Sequence, residues 1–123
     1  MSSFLEIERL NKIYRSERKP IHALQDIDLH IEEGEFVSIV GPSGCGKSTL
    51  MMLISGLIPV TTGTVTVGGV PVEGPVPAAG IVFQRDVLLD WRTVLANVML
   101  PVEIRKLDRA SHLEKAKELL ASV

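Results

Sequence analysis

The chain holds one cysteine, one tryptophan, one tyrosine and three phenylalanines in 123 residues, and neither sign of charge dominates, with 13 Lys+Arg against 15 Asp+Glu. A single cysteine excludes an internal disulfide and any metal site built from several thiolates. The near balance of charge, with no basic stripe interleaved with aromatics, argues against a nucleic-acid partner. No apolar run reaches the roughly 20 residues of a membrane-spanning helix: residues 54–60 are interrupted by Gly56 and Pro59. The charged start, with Glu6, Glu8 and Arg9, does not read as a secretory signal, so the expectation is a protein made and kept in the cytoplasm. What remains is a chain of one-domain length whose 46% apolar content suits a core and not disorder.

Against that background one stretch stands out. Residues 41–49 read GPSGCGKST and match G-x-x-x-x-G-K-[ST], with Gly41, Gly46, Lys47 and Ser48 at the required positions. A triphosphate carries several negative charges. Glycines let consecutive backbone N–H groups, here across Ser43, Gly44, Cys45 and Gly46, turn inward without a Cβ in the way. A helix opening near Gly46 adds its positive dipole end. Lys47 is expected to place an ammonium between the β- and γ-phosphates, and Ser48 to ligate Mg2+ through its hydroxyl. Thr49 either contacts the α-phosphate or caps the turn. Cys45 is either a reactive thiol or a small filler. A loop that merely turns the chain would not require Lys47 and Ser48 together after an apolar run.

The flanks agree with this reading. Phe36, Val37, Ser38, Ile39 and Val40 predict a parallel strand buried on both faces, and residues 50–54 predict a helix. Upstream, Leu5 and Ile7 alternate with Glu6 and Glu8, and Ile27, Leu29 and Ile31 alternate with Asp28, His30 and Glu32, predicting two strands each with one wet face. Downstream, Gly56 and Pro59 end the helix. Residues 64–67 (TVTV) predict a strand closed by Gly68 and Gly69, and Ile81, Val82 and Phe83 a short apolar strand ending at Gln84. Beyond it the pattern turns helical. Pro101 is expected to kink or divide the segment 94–104. Asp108 is a plausible N-cap for a last helix with Leu113, Ala116 and Leu120 on one face.

Taken together, KIYRSE around Tyr14, HALQDIDLHIEEGEF from His22 to Phe36, GPSGCGKST, ISGL and GIVFQ resemble the N-terminal half of an ABC-transporter ATP-binding subunit. The resemblance spans nearly the whole chain. It implies an α/β fold: a P-loop NTPase (RecA-like) core with an antiparallel β layer and the start of a helical subdomain, incomplete here. Residues 1–84 would form the β layer and P-loop core, and 85–123 the beginning of the helical subdomain. It further implies that Tyr14 stacks on adenine, that Gln84 touches Mg2+ and the attacking water, and that ATP with Mg2+ is the ligand. Two strands preceding the loop fit this family better than nucleoside kinases, which commonly open with the loop.

Within the family, Gly74 and Pro75 before VFQ and LLDW after it resemble the importer branch for nitrate, sulfonates, taurine or similar small compounds, although Asp90 stands where that pattern has proline. The resemblance places Leu88, Leu89 and Trp91 near a groove that receives the coupling helix of a membrane permease, the alternative being that Trp91 packs the helical subdomain. It also implies a head-to-tail homodimer on the inner face of the cell membrane. The family's Asp-Glu pair, switch histidine and LSGGQ-type signature do not occur in these 123 residues. Two readings follow: the ATPase subunit of an importer, seen as a truncated chain, or a nucleotide-binding fragment without turnover. A third, a GTPase, lacks the D-x-x-G switch after the loop.

Overall fold

The computed structural model describes residues 3–123, and the chain divides into two compact units between Ile81 and Val82. The first is built on an antiparallel sheet of four strands in the order β2-β1-β3-β4, with β1 at Leu5–Tyr14, β2 at Ile21–Ile31, β3 at Thr62–Val67 and β4 at Val70–Pro71. Helix α1, Lys47–Ile54, is the only helix described in this unit. Leu50 and Leu53 of α1 join Leu5, Ile7, Leu10, Leu24 and Val65 in one buried cluster. The antiparallel layer and the loop helix therefore share a core, which fixes the loop ahead of α1 against the sheet.

Both long strands run further than alternation alone predicts, because a bulge resets their phase. Strict alternation from Leu5 and Ile7 would turn Arg9 inward. Instead Arg9 and Asp26 each adopt φ of 46° at two successive register shifts, and Leu10 and Lys12 take the inward places. Polar side chains stitch the irregularity. The Arg9 N–H donates to Asp28 Oδ1 at 2.7 Å, the Asp26 N–H to Asn11 Oδ1 at 3.1 Å, and Asn11 Nδ2 to the Arg9 carbonyl at 2.9 Å.

Two expected strands do not form. Residues 36–40 and 81–83 carry no regular secondary structure and lie in no ladder, and Phe36 and Val40 are 91% and 92% exposed. A parallel strand is held by neighbours on its two edges, and among the described residues none pairs with either segment. Apolar side chains left in water in this way favour self-association. The chain is accordingly expected to sediment as oligomers or aggregates, and Phe36→Lys with Val40→Lys to raise the monomer fraction severalfold. A cooperative melt of soluble wild-type monomer would contradict this.

The second unit is a helical hairpin: α2 at Val94–Ile104 and α3 at Arg109–Ala121. Pro101 lies inside α2 without dividing it, and its carbonyl still accepts from the Arg105 N–H at 3.0 Å. Asn97 ties the preceding turn to the helix. Its Nδ2 donates to the carbonyls of Leu89 and Thr93 at 3.1 and 3.0 Å while its Oδ1 accepts from the Leu89 N–H at 2.8 Å. Thr93 caps α2 by accepting from the Ala96 N–H, and Asp108 caps α3 by accepting from the Ser111 N–H at 3.0 Å. Met99 and Ala116 are buried, with Leu113 and Leu120 half-buried.

The hydrogen bonds from the Ser111 hydroxyl and backbone N–H hold the Asp108 carboxyl below its ordinary value of 3.8. A depressed carboxylate stabilises the fold above its unfolded pKa and loses that contribution as pH falls through the folded one. Helical circular dichroism of the chain is thus expected to drop in acid below about pH 4. The Asp108→Asn variant, which keeps an acceptor but cannot titrate, should flatten that part of the curve. An acid profile unchanged by Asp108→Asn would remove the assignment.

Candidate functional site

The loop of residues 41–46 runs from the exposed segment 36–40 into α1. Its last residue, Gly46, is the N-cap, with φ of 97° and no side-chain cap. Two constraints converge there. The left-handed backbone disfavours a side chain, and an added Cβ would lie 2.6 Å from the Ala23 carbonyl oxygen of β2. Gly46 thus lets the loop sit directly on the sheet. The first intrahelical bond runs from the Leu50 N–H to the Gly46 carbonyl at 2.9 Å, so the N–H groups of Lys47, Ser48 and Thr49 have no intrahelical acceptor. With no Ser, Thr or Asp at the cap to take them up, these donors and the positive end of the dipole are available to an anion.

Lys47 points back into the same loop. Its ammonium donates to the carbonyls of Gly41 and Pro42, the latter at 2.8 Å, and stands 3.5 Å from Cys45 Sγ. An ammonium has three donors; here two meet carbonyls and the third faces a weak sulfur acceptor, which a charged phosphate oxygen readily outcompetes. Cys45 is free and exposed, as are Ser43 and Gly44. The Ser48 hydroxyl is exposed on the first turn of α1 and offers a hard oxygen of the kind Mg2+ takes. The donor set, free amides with one ammonium and one hydroxyl, therefore fits a polyphosphate with its Mg2+.

Tyr14 ends β1 at the rim of this loop. It is 37% exposed, and its hydroxyl lies 3.4 Å from Thr49 Oγ1. Tyr14 and the residues from Gly41 to Thr49 are thus brought together by the fold. Gln84 stands in an exposed, irregular segment of the second unit. Leu88 and Trp91 of that unit are exposed, Trp91 at 81%, so Trp91 does not pack the helices.

Alternation alone overlooks two residues. Lys12 is only 9% exposed. Its ammonium donates to the Pro59 carbonyl at 2.6 Å and lies over the Tyr14 ring, 5.3 Å from the centroid. Thr61 closes the same corner, its Oγ1 accepting from the Ile13 N–H at 2.9 Å. Only the phase reset at Arg9 reveals that Lys12 faces inward.

Comparison with known proteins agrees with this geometry. The ABC transporter family model matches residues 24–123. An uncharacterized ABC transporter ATP-binding protein of Methanocaldococcus jannaschii is 40% identical over 97% of this chain and 45% of its own length. The taurine import ATP-binding protein of Pseudomonas putida is 40% identical over 98% and 45%. The bicarbonate transport ATP-binding protein of a Synechocystis strain is 42% identical over 83% and 36%. The chain therefore spans somewhat under half the length of these relatives. Among solved structures, a dimeric ATP-binding cassette bound to ADP and Pi superposes with a TM-score of 0.84 at 32% identity, covering 95% of this chain and 56% of that one. A sheet-seated glycine loop feeding a helix, a tyrosine at its rim and a family match over most of the residues lead to one conclusion: the chain belongs to the ABC transporter family.

Proposed function

We propose that this chain is the nucleotide-cradling part of an ABC importer's ATP-binding subunit and takes Mg-ATP at residues 41–49. The observation that carries this reading is the uncapped start of α1, where free amides and the Lys47 ammonium converge on one loop. In this reading Gly41, Ser43, Gly44, Cys45 and Gly46 wrap the phosphates with their backbone. Lys47 neutralises the β- and γ-phosphates, Thr49 lies beside the α-phosphate, and Tyr14 receives the adenine. Ser48 and Gln84 would hold Mg2+, which supplies charge neutralisation for the phosphates; Gln84 would also position the attacking water.

The wider assignment is part of the same proposal. Residues 1–84 act as the β layer and P-loop core and residues 85–123 as the start of the helical subdomain. The exposed Leu88 and Trp91 suit a permease contact along residues 84–91, on the inner face of the membrane, with a second nucleotide-binding subunit completing the dimer. Taurine and bicarbonate import by two of the relatives favours a small anionic or zwitterionic solute such as nitrate, a sulfonate or taurine. Hydrolysis belongs to the whole subunit, since positioning and electrostatic stabilisation carry most of phosphoryl transfer and this loop supplies one side of both.

Competition against a fluorescent ATP analogue tests the reading. Displacement is expected in the order ATP, then ADP, then AMP, because the loop grips the terminal phosphates. AMP competing as well as ATP would exclude residues 41–49 as the grip.

A further inference from the structure

Lys12 raises a physical question that the nucleotide loop does not answer. It occupies an inward position of β1 between core residues, where an aliphatic side chain would be buried at no cost in charge desolvation. Buried ammonium groups ordinarily face a carboxylate. The described ion pairs, Arg92–Glu103, Lys115–Glu118 and Lys117–Glu114, do not include Lys12. Its partners are one backbone carbonyl, that of Pro59, and one aromatic face, that of Tyr14. The carbonyl fixes where the charge sits, and the charge in turn fixes the ring.

We propose that Lys12 is a positioning residue for the nucleotide base: pinned by the Pro59 carbonyl, its ammonium occupies one face of the Tyr14 ring and leaves the other for a stacked purine. The inference rests on the reading that Tyr14 receives the base. Two effects combine. The cation–π contact and the Tyr14 hydroxyl's approach to Thr49 Oγ1 hold the ring at two points, so the base platform keeps a set distance from the phosphate loop. A cation behind the ring also draws electron density from it, which favours stacking of an electron-rich adenine on the front face.

The test compares Mg-ATP with Mg-tripolyphosphate, which has the charge but no base, on the full chain. Lys12→Gln keeps a donor for Pro59 and removes the cation. It is expected to weaken ATP by about three- to fivefold while leaving tripolyphosphate unchanged. Lys12→Arg is expected to restore most of the ATP preference. Tyr14→Ala separates the two layers of the argument: if it leaves the ratio of ATP to tripolyphosphate affinity unchanged, the base is not on Tyr14 and the underlying reading fails. If Tyr14→Ala lowers the ratio and Lys12→Gln does not, the role of Lys12 alone is overturned. Because the chain has one tyrosine, ring-fluorinated tyrosine gives a single fluorine resonance. That resonance is expected to move in Lys12→Arg as in Lys12→Gln, and its staying in place in the conservative arginine variant would overturn the contact even if Lys12→Gln does not fold.

Discussion

Lys47→Ala is expected to reduce Mg-ATP affinity by about two orders of magnitude, since each charge-assisted hydrogen bond to phosphate is worth about 1.5–3 kcal/mol and the ammonium would meet more than one oxygen. Fold stability should change little. Lys47 is anchored only to the loop's own carbonyls and to Cys45, and these face solvent when the ammonium is removed. The expected signature is lost binding with an unchanged circular dichroism spectrum. Lys47→Arg discriminates further: it keeps the charge, but its planar fork does not reproduce a compact ammonium between two carbonyls. It should recover only part of the affinity. A Lys47→Ala variant that binds Mg-ATP like the parent would place the ligand elsewhere.

The second large effect falls far from the loop's chemistry but on the helix that carries it. Helix α1 ends in a motif with Gly56 at φ of 74°: the Gly56 N–H donates to the Leu53 carbonyl at 3.1 Å and the Leu57 N–H to the Met52 carbonyl at 2.9 Å. A Cβ at Gly56 would lie 1.9 Å from the Gly74 carbonyl oxygen, which is backbone and cannot swing aside. Gly56→Ala adds left-handed strain of about 1–2 kcal/mol to an overpacking cost of about 1–3 kcal/mol. Against the roughly 5–15 kcal/mol that holds a typical domain together, that is a large share. In the Phe36→Lys, Val40→Lys background that favours the monomer, the variant is expected to melt well below its parent and to lose Mg-ATP binding in step with the fold, because Leu50 and Leu53 would no longer seat α1 on the sheet. A Gly56→Ala chain that melts with the parent would show that the close approach to Gly74 is not maintained in solution.

The glycine loop was legible in the sequence because the chemistry proposed for it dictates residue type at each place: glycines for amide approach, lysine for charge, serine for the cation. Helix ends were legible for a similar reason, since Gly56 and Asp108 act through their own backbone or side chain on the adjacent turn; Thr93, which caps α2, was not singled out. The apolar segments 36–40 and 81–83 show where alternation and apolarity stop being informative. Their composition states that they belong in a core, but a strand is made by its neighbours, and among the described residues none lies alongside. The bulge at Arg9 and Asp26 was hidden for a different cause. It is a cooperative arrangement of Asn11, Asp26 and Asp28 across two strands, and reading one strand at a time turns Arg9 inward and Lys12 outward. Lys12 beneath Tyr14 became visible only after that phase was known. Asn97, which the sequence reading did not single out, holds the 89–93 turn through both ends of its amide.

The central claim is that inward-turned amides and one ammonium at residues 41–49 grip the phosphate tail of ATP. Calorimetric titration with Mg-ATP of the chain carrying Phe36→Lys and Val40→Lys, the substitutions that favour the monomer, tests it most directly. The account predicts a saturable one-to-one heat that vanishes in Lys47→Ala; folded monomer that gives no heat and no saturable complex would contradict it.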